Sequence, residues 1–286
     1  KTFISILLVN VFFVPHAYPQ INTDDTIIEA CVIQKNIRQL GHTLYNDYFQ
    51  FVNYNSNCIE YADNELFQRF LQSLANSKNE KIRILHIGDS HVQADFFTGY
   101  VRRSLQVAFG NGGRGLIFPY KAAATHASID YKTNVTGNWT SAKVTDKNPT
   151  YPIGISGISA HTDDINATAT IIFNPNLTSI ANDTLNIIVL YKPSEFSFNL
   201  KISSGTEVWI KDNKNKKASV LSGKLKCETD TIQLSFFQSD TLQNFFEIYG
   251  ILIESTNSSG IVYHNAGING ASIHHIQNQL LIEEHL

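Results

Sequence analysis

IRILHIGDSHVQADFF, residues 82–97, is the stretch that decides the fold. Residues 82–87 are apolar on both faces of an extended chain, which predicts a buried strand of a parallel sheet. The strand ends in Gly-Asp-Ser-His and a helical pattern follows at once, with a helix predicted over about residues 95–109. Ser90 therefore falls at the edge where open α/β sheets place their ligands, near helix N–H groups that can hold an anion. This position makes Ser90 a candidate nucleophile.

The composition bounds the class of protein. The chain has 286 residues, is 43% hydrophobic and 16% charged, and carries a formal net charge of −3. This length suits one large domain or two smaller ones. Without a basic surplus or a basic stripe with interleaved aromatic residues, nothing predicts a nucleic-acid partner.

Residues 1–17 predict a secretory signal peptide that lacks its initiator Met. The apolar run over residues 3–14 is too short to span a bilayer, so we expect no stable membrane span after signal cleavage. We therefore expect an exported protein, periplasmic or extracellular. Residues 18–63 would form an N-terminal arm. The sequence leaves two alternatives for its cysteines, Cys31, Cys58 and Cys227: a Cys31–Cys58 disulfide, or buried free thiols.

The rest of the chain divides into three parts. Residues 64–118 carry a helical pattern, the strand and a second helix, and form the first part of an α/β domain. Residues 119–259 change to a period of two, which predicts an inserted antiparallel β-sandwich. Its predicted strands are 168–173, 185–191, 196–202, 207–210, 231–237 and 245–254. Residues 260–286 return to the α/β domain with a strand at 261–264, a glycine turn at 265–270 and a helix at 272–284.

Two sequence blocks resemble a known family. Gly88-Asp89-Ser90 matches the first block of the SGNH (GDSL-type) hydrolases, and GINGAS, residues 267–272, looks like their second block. The string from residue 86 to residue 97, followed by GNGGRGLIFP at 110–119, resembles bacterial peptidoglycan O-acetylesterases. In that subgroup a carbohydrate-binding-module-like β-sandwich interrupts the SGNH domain between the same two blocks. The resemblance covers roughly residues 58–286 and implies a three-layer α/β/α fold with a flavodoxin-like parallel sheet, incomplete here.

The chemistry of the candidate site follows from the residue types. A serine hydroxyl needs a base to take its proton before it attacks an acyl carbonyl. The developing oxyanion needs N–H donors, for which the backbone of Ser90 is one candidate. The resemblance makes Gly270 the second, and its missing side chain allows close approach of a carbonyl. Asp89 is expected to shape the turn by accepting backbone N–H bonds. His91 is a supporting residue, because its adjacency to Ser90 disfavours a role as the base.

The family pattern also defines what this sequence does not contain. SGNH hydrolases carry a Gly-x-Asn-Asp block and an Asp-x-x-His block after the second block, and neither occurs in these 286 residues. A parallel sheet of only two strands would be too small to stand alone. We therefore expect a piece truncated at both ends, with the catalytic His and Asp outside this chain. The alternative is a degenerate, non-catalytic SGNH domain.

Other motifs favour ordinary structural roles. The GxGxxG match at 110–115 follows a helix, so it predicts a turn and no dinucleotide site. For Arg114 we expect a structural salt bridge more than a substrate contact. His161 with Asp163 and Asp164 could bind a metal, although a polar loop is favoured, and we expect no metal and no cofactor. Trp139 and Trp209 could stack on sugar rings, but core packing is the default for such residues. The lack of a Gly-x-Ser-x-Gly motif argues against the α/β-hydrolase fold.

The sequence thus predicts a secreted serine esterase that removes O-acetyl groups from peptidoglycan or another polysaccharide through an acyl-serine. Its partner would be an O-acetylated glycan or another small ester. A non-catalytic SGNH-like glycan-binding module and an SGNH lipase or acyl-transferase remain as alternatives.

Overall fold

The computed structural model describes residues 64–211, 219–277 and 281–285. The predicted signal peptide, the N-terminal arm and both Cys31 and Cys58 lie outside these residues. The helices are α1 (Asn64–Ala75), α2 (Ser90–Ala94), α3 (Phe96–Phe109), α4 (Ile273–Gln277) and α5 (Ile282–His285).

The strands fall into one parallel and two antiparallel sheets. They are β1 (Lys81–Gly88), β2 (Asn111–Gly113), β3 (Gly115–Ile117), β4 (Tyr131–Thr136), β5 (Thr140–Lys143), β6 (Ile158–Thr162), β7 (Thr168–Phe173), β8 (Thr184–Tyr191), β9 (Asn199–Ser204), β10 (Glu207–Lys211), β11 (Val220–Lys226), β12 (Thr231–Phe237), β13 (Phe246–Ser255) and β14 (Gly260–Gly267).

The parallel sheet has the order β1-β14-β2, so β1 and β14 lie side by side although more than 170 residues separate them in the chain. Helices α1 and α3 cover one face, where Leu74 and Leu105 pack against Ile84 and Ile261. The strand predicted at 82–87 is confirmed, and its apolar residues are buried on both faces, which is why it lacks the alternation of a half-exposed strand.

The second face of the parallel sheet is covered by an antiparallel sheet. Leu85 and Ala266 of the parallel sheet share a buried cluster with Leu190 of β8 and Tyr249 of β13. Within the described residues the layers are therefore helix, parallel sheet and antiparallel sheet, which differs from the expected α/β/α order. Leu190 of β8 and Tyr249 and Leu252 of β13 point away from the other antiparallel sheet, and these side chains pack against the parallel sheet.

The two antiparallel sheets lie between β1 and β14 in the chain. One has the order β10-β9-β12-β7-β4 and the other β11-β8-β13-β6-β5, with β3 also paired to β13. Ile171 and Leu234 of the first share one buried cluster with Ile187 and Ile251 of the second. This common core is what holds the two sheets face to face.

The six predicted strands of this region are found, some displaced by one to three residues. Four others, β4, β5, β6 and β11, went unpredicted, because Lys, Thr, Asn, Ser and Gly supply much of their sequence and blur the apolar alternation. The limits proposed for the three parts, 64–118, 119–259 and 260–286, stay predictions.

The turn predicted for residues 110–115 is wrong. These residues form β2, which pairs in parallel with β14, and the start of β3, which pairs with β13. Gly113 has φ +125°, and a Cβ there would overlap Cα of Glu254. Glycine lets this backbone pack where a side chain would not fit. Because glycine has no side chain, the segment also lacks the apolar alternation from which a strand is predicted.

The helix predicted at 272–284 is also different in the structure, where α4 and α5 are two short helices. Nδ1 of His285 accepts a hydrogen bond from the Ile155 N–H at 3.2 Å, and the Leu281 N–H donates to the Ile153 carbonyl at 3.2 Å. Contacts with residues 153–155 thus fix the position of α5. No helix in the described part of the chain has the length and apolar character needed to cross a membrane.

Candidate active site

Strand β1 ends at Gly88, and Ser90 is the first residue of α2. Asp89 is the N-cap of this helix, and its Oδ1 accepts a hydrogen bond from the His91 N–H at 2.9 Å. This bond is the main reason that the pKa of Asp89 lies below its ordinary value. Asp89 thus accepts a backbone N–H bond at the start of α2, which is the kind of contact that the sequence predicts for it. The His91 side chain is 85% exposed, and its Nδ1 lies 3.0 Å from the same Asp89 oxygen.

The second sequence block meets the first at the carboxyl ends of β1 and β14. Gly267 is paired with Gly88, and the Ile268 N–H donates to the Gly88 carbonyl at 3.1 Å. The Asn269 N–H donates to Oε1 of Gln93, one helical turn beyond Ser90, at 2.7 Å. Residues that flank Ser90 and Gly270 are therefore in direct contact.

Glycine at the strand ends allows α2 to sit against the sheet. A Cβ on Gly267 would overlap the backbone nitrogen of Gln93, and a Cβ on Gly88 would collide with the Val92 side chain. A larger residue at either position would push α2 away from the strand ends and would move Ser90 with it.

Gly270 lies exposed in the turn that follows β14. Its φ of +79° is a conformation that glycine adopts without strain. Apart from atoms of Gly270 and its two chain neighbours, a Cβ at Gly270 would have one heavy atom within 4 Å among the described residues, Cγ2 of Thr145 at 4.0 Å. Because Thr145 lies between β5 and β6, the antiparallel part of the chain reaches the rim of the candidate site.

A buried group of charges lies behind this edge. We call Asp95, Arg102, Arg114 and Asp130 the buried ion cluster, and the side chains of its members are at most 1% exposed. Arg102 Nη2 lies 2.7 Å from Asp95 Oδ2 and 3.0 Å from Asp130 Oδ2, and Arg114 Nη2 lies 2.9 Å from Asp130 Oδ1. Two positive and two negative groups leave the cluster neutral. The salt bridge expected for Arg114 is confirmed.

The buried ion cluster is connected to the candidate site through Asn265. Its Oδ1 accepts from Arg114 Nη1 at 2.9 Å, and its Nδ2 donates to Asp95 Oδ1 at 3.0 Å and to the Val92 carbonyl at 3.3 Å. Burial alone would raise the pKa of Asp130, but Arg114 and Arg102 hold it far below its ordinary value. The cluster thus ties the end of α2 to β14 two residues before Gly267.

The remaining candidate residues have structural contacts. His161 lies in β6, not in a polar loop, with its ring stacked on Tyr151 at 4.9 Å and its Nδ1 3.4 Å from Glu247 Oε2. The described residues contain no group of three or more side chains that could hold a metal ion. Trp139 and Trp209 pack against the common core of the antiparallel sheets, as the default interpretation predicts. Cys227 is a buried free thiol.

His264 makes stability depend on pH. It is buried in β14, its Nδ1 has no hydrogen-bond partner among the described residues, and burial lowers its pKa to about 4. Glu254 opposes this shift, while Arg83 and Arg114 add to it. In the unfolded chain His264 takes up a proton as the pH falls below about 6.5, whereas in the folded protein it stays neutral until about pH 4. Protonation therefore favours the unfolded chain, and stability is lost as the pH falls from about 6.5 toward 4.

We expect this histidine to account for a loss of about 3 kcal/mol across that range, since one pKa unit corresponds to about 1.4 kcal/mol. The measurement is the free energy of unfolding by urea at pH 7 and at pH 4. His264→Gln should flatten its pH dependence, whereas His274→Gln, at an exposed position, should not. An unchanged slope in His264→Gln would contradict the assignment.

Three residues of this region were missed from sequence. Gln93, Asp130 and Asn265 are buried polar residues with several partners each, and a single sequence does not reveal which polar residues are buried. One signal was present for Gln93, which lies three residues after Ser90 and therefore near the same face of the helix.

A parallel sheet that presents Gly88-Asp89-Ser90 beside a glycine turn at its carboxyl edge is the arrangement expected of a hydrolase with an SGNH-like fold. Among solved structures, the chain is similar to a peptidoglycan O-acetylesterase, with 26% identity and a TM-score of 0.54. The match covers 74% of this chain and 54% of the esterase, so the chain spans about half the length of that enzyme. This similarity supports an SGNH-like hydrolase fold.

Two carbohydrate-binding proteins are matched at low similarity. One is a pectin-binding carbohydrate-binding module, with 14% identity, a TM-score of 0.25, and coverage of 46% of this chain and 94% of the module. The other comprises the CBM22-1 and GH10 modules of Clostridium thermocellum xylanase 10B, with 12% identity, a TM-score of 0.31, and coverage of 52% and 29%. No family model and no curated protein matches the chain.

Proposed function

We propose that the full-length protein is an SGNH-type serine esterase that removes O-acetyl groups from peptidoglycan or a related polysaccharide. The observation that carries the proposal is the contact between the segment that bears Ser90 and the segment that bears Gly270. The similarity to a peptidoglycan O-acetylesterase, at 26% identity over 74% of the chain, supports the choice of substrate.

In the proposed reaction, the Ser90 hydroxyl attacks the acetyl carbonyl while a general base takes its proton. The N–H groups of Ser90 and Gly270 donate to the oxyanion, which forms as the carbonyl carbon becomes tetrahedral. The sugar hydroxyl then leaves with a proton, and acetyl-Ser90 remains. Water attacks this ester, releases acetate and restores the serine. Because the sequence contains no Asp-x-x-His block, we propose that the base and its orienting carboxylate come from outside these 286 residues.

We further propose that the two antiparallel sheets form an inserted β-sandwich domain that contributes to holding the glycan. The position of Thr145 supports this, because its Cγ2 would lie 4.0 Å from a Cβ added to Gly270, so the segment between β5 and β6 passes near the proposed oxyanion donor. A peptidoglycan substrate lies outside the cytoplasm, so the proposal also requires export.

The test is acetate release by the full-length protein from O-acetylated peptidoglycan, with the same material de-O-acetylated by mild base as the control. We expect acetate from the first sample only, in proportion to the O-acetyl groups lost from the glycan. Glycan binding without acetate release, from peptidoglycan or from p-nitrophenyl acetate, would contradict the enzyme and favour the binding module. A preference for long-chain acyl esters would favour a lipase.

A further inference from the structure

Gln93 is a buried amide with three protein partners at the candidate site. Its side chain lies in α2, and the residue is 1% exposed. Oε1 accepts from the Asn269 N–H at 2.7 Å, while Nε2 donates to Thr125 Oγ1 at 3.1 Å and to the His126 carbonyl at 3.0 Å. The two acceptors around Nε2 fix the orientation of the amide, because a flipped amide would place Nε2 against the Asn269 N–H.

The partner of Gln93 begins the turn that contains Gly270. The Ala271 N–H donates to the Ile268 carbonyl at 3.0 Å, which closes a β-turn over residues 268–271. Gly270 occupies the third position of this turn with φ +79°, the value expected for a type II turn. The two common turn types differ in the direction of the central peptide, and here that peptide carries the Gly270 N–H.

We propose that Gln93 is a positioning residue that clamps the 268–271 turn to the helix beginning at Ser90. The clamp holds the Gly270 N–H in the direction in which it donates to the oxyanion. This inference rests on the proposed esterase function. In this proposal the Gln93 side chain hydrogen-bonds to Thr125, His126 and Asn269, and it acts on the reaction through the peptide that follows Asn269.

If Gln93 had only a structural role, replacing it would lower kcat no more than replacing another buried glutamine. Gln243 is the matched control for this comparison. Gln243 is also buried, at 5% exposure, in the segment before β13. Its Nε2 donates to the Ser197 carbonyl at 2.8 Å, and its Oε1 accepts from the Ser239 N–H at 2.8 Å. Replacing either glutamine by Met removes a buried amide with comparable contacts, but only Gln93 is connected to the turn of Gly270.

The test compares Gln93→Met, Gln93→Glu and Gln243→Met in the full-length protein with p-nitrophenyl acetate. We expect Gln93→Met to lower kcat by about 10²-fold with KM within about two-fold, since a misdirected oxyanion donor weakens the transition state alone. Gln93→Glu keeps an oxygen to accept from Asn269, so we expect it to recover at least about ten-fold of the lost kcat. Gln243→Met should leave kcat within about two-fold.

Amide hydrogen exchange at Asn269 separates failure of this proposal from failure of the proposed function, because it needs no activity. Exchange should be faster in Gln93→Met than in the parent protein and unchanged in Gln243→Met. Unchanged exchange, an unchanged kcat in Gln93→Met, or an equal loss of kcat in Gln243→Met would each overturn the proposal. If the parent protein is inactive but shows the expected exchange pattern, the proposed esterase function is wrong. The catalytic role assigned to Gln93 is then wrong as well, and only its structural contact with the 268–271 turn is supported.

Discussion

Ser90→Ala should lower the rate of acetate release by full-length protein by about 10⁴-fold or more, which is the largest effect that we expect of any substitution. Alanine offers no nucleophile, and the N–H donors alone supply only a small residual rate. The fold should tolerate the change, because the helix cap is Asp89 and it is retained. Initial rates with p-nitrophenyl acetate measure the loss of activity, and thermal melts of both proteins show whether the fold is retained.

The matched control for this substitution is Ser104→Ala, which changes an exposed serine of α3. It should retain full activity and stability. Activity of Ser90→Ala within about ten-fold of the parent would mean that another group attacks the ester, because loss of a true nucleophile costs far more.

Arg114→Met should destabilise the folded protein by about 3–5 kcal/mol, the largest stability effect that we expect. The substitution removes one of the two positive charges of the buried ion cluster and leaves Asp130 paired with Arg102 alone. Asp95 and Asp130 are fully buried, so solvent cannot compensate for the lost partner. The melting temperature should fall on the order of 10 °C for a domain of this size.

The control is Arg69→Met. Arg69 pairs with Glu65 on the surface of α1, where the two side chains are 66% and 73% exposed. A surface pair of this kind contributes little, so the melting temperature should hardly change. A small effect of Arg114→Met, equal to that of Arg69→Met, would show that the cluster does not stabilise the fold.

The sequence predicted those elements whose apolar residues mark a face. Strand β1 and helix α3 were found because a buried parallel strand is a continuous apolar run and a helix repeats its apolar residues every three to four positions. Both patterns depend on side-chain hydrophobicity alone, which is visible in a single chain. For the same reason the position of Ser90 between a strand and a helix was predicted correctly.

The elements that were missed depend on backbone approach or on partners far along the chain. Strand β2 consists of Asn-Gly-Gly, and its place beside β14 depends on the glycine backbone at Gly112 lying against Gly260. Strand β5, Thr-Ser-Ala-Lys, has little apolar pattern and is defined by its pairing with β6. Such strands become recognisable only once their neighbours are in place.

The candidate site was predicted as two separate sequence blocks, and the structure shows what joins them. Gln93 and Asn265 hold the blocks together, but each is an ordinary polar residue until its burial is known. Asp95 marked the start of a predicted helix, and its position at φ +61° between α2 and α3 is where the helical pattern breaks. Its second role, as a buried counter-ion of Arg102 and Arg114, required the fold.

The central claim is that Ser90 is the nucleophile, and covalent labelling tests it most directly. A fluorophosphonate transfers its phosphonyl group to an activated serine with loss of fluoride, and the product resembles the tetrahedral intermediate of ester hydrolysis. The full-length protein should gain one phosphonyl group, located by peptide mass spectrometry on Ser90, and Ser90→Ala should gain none. Labelling of a different serine, or equal labelling of Ser90→Ala, would contradict the account.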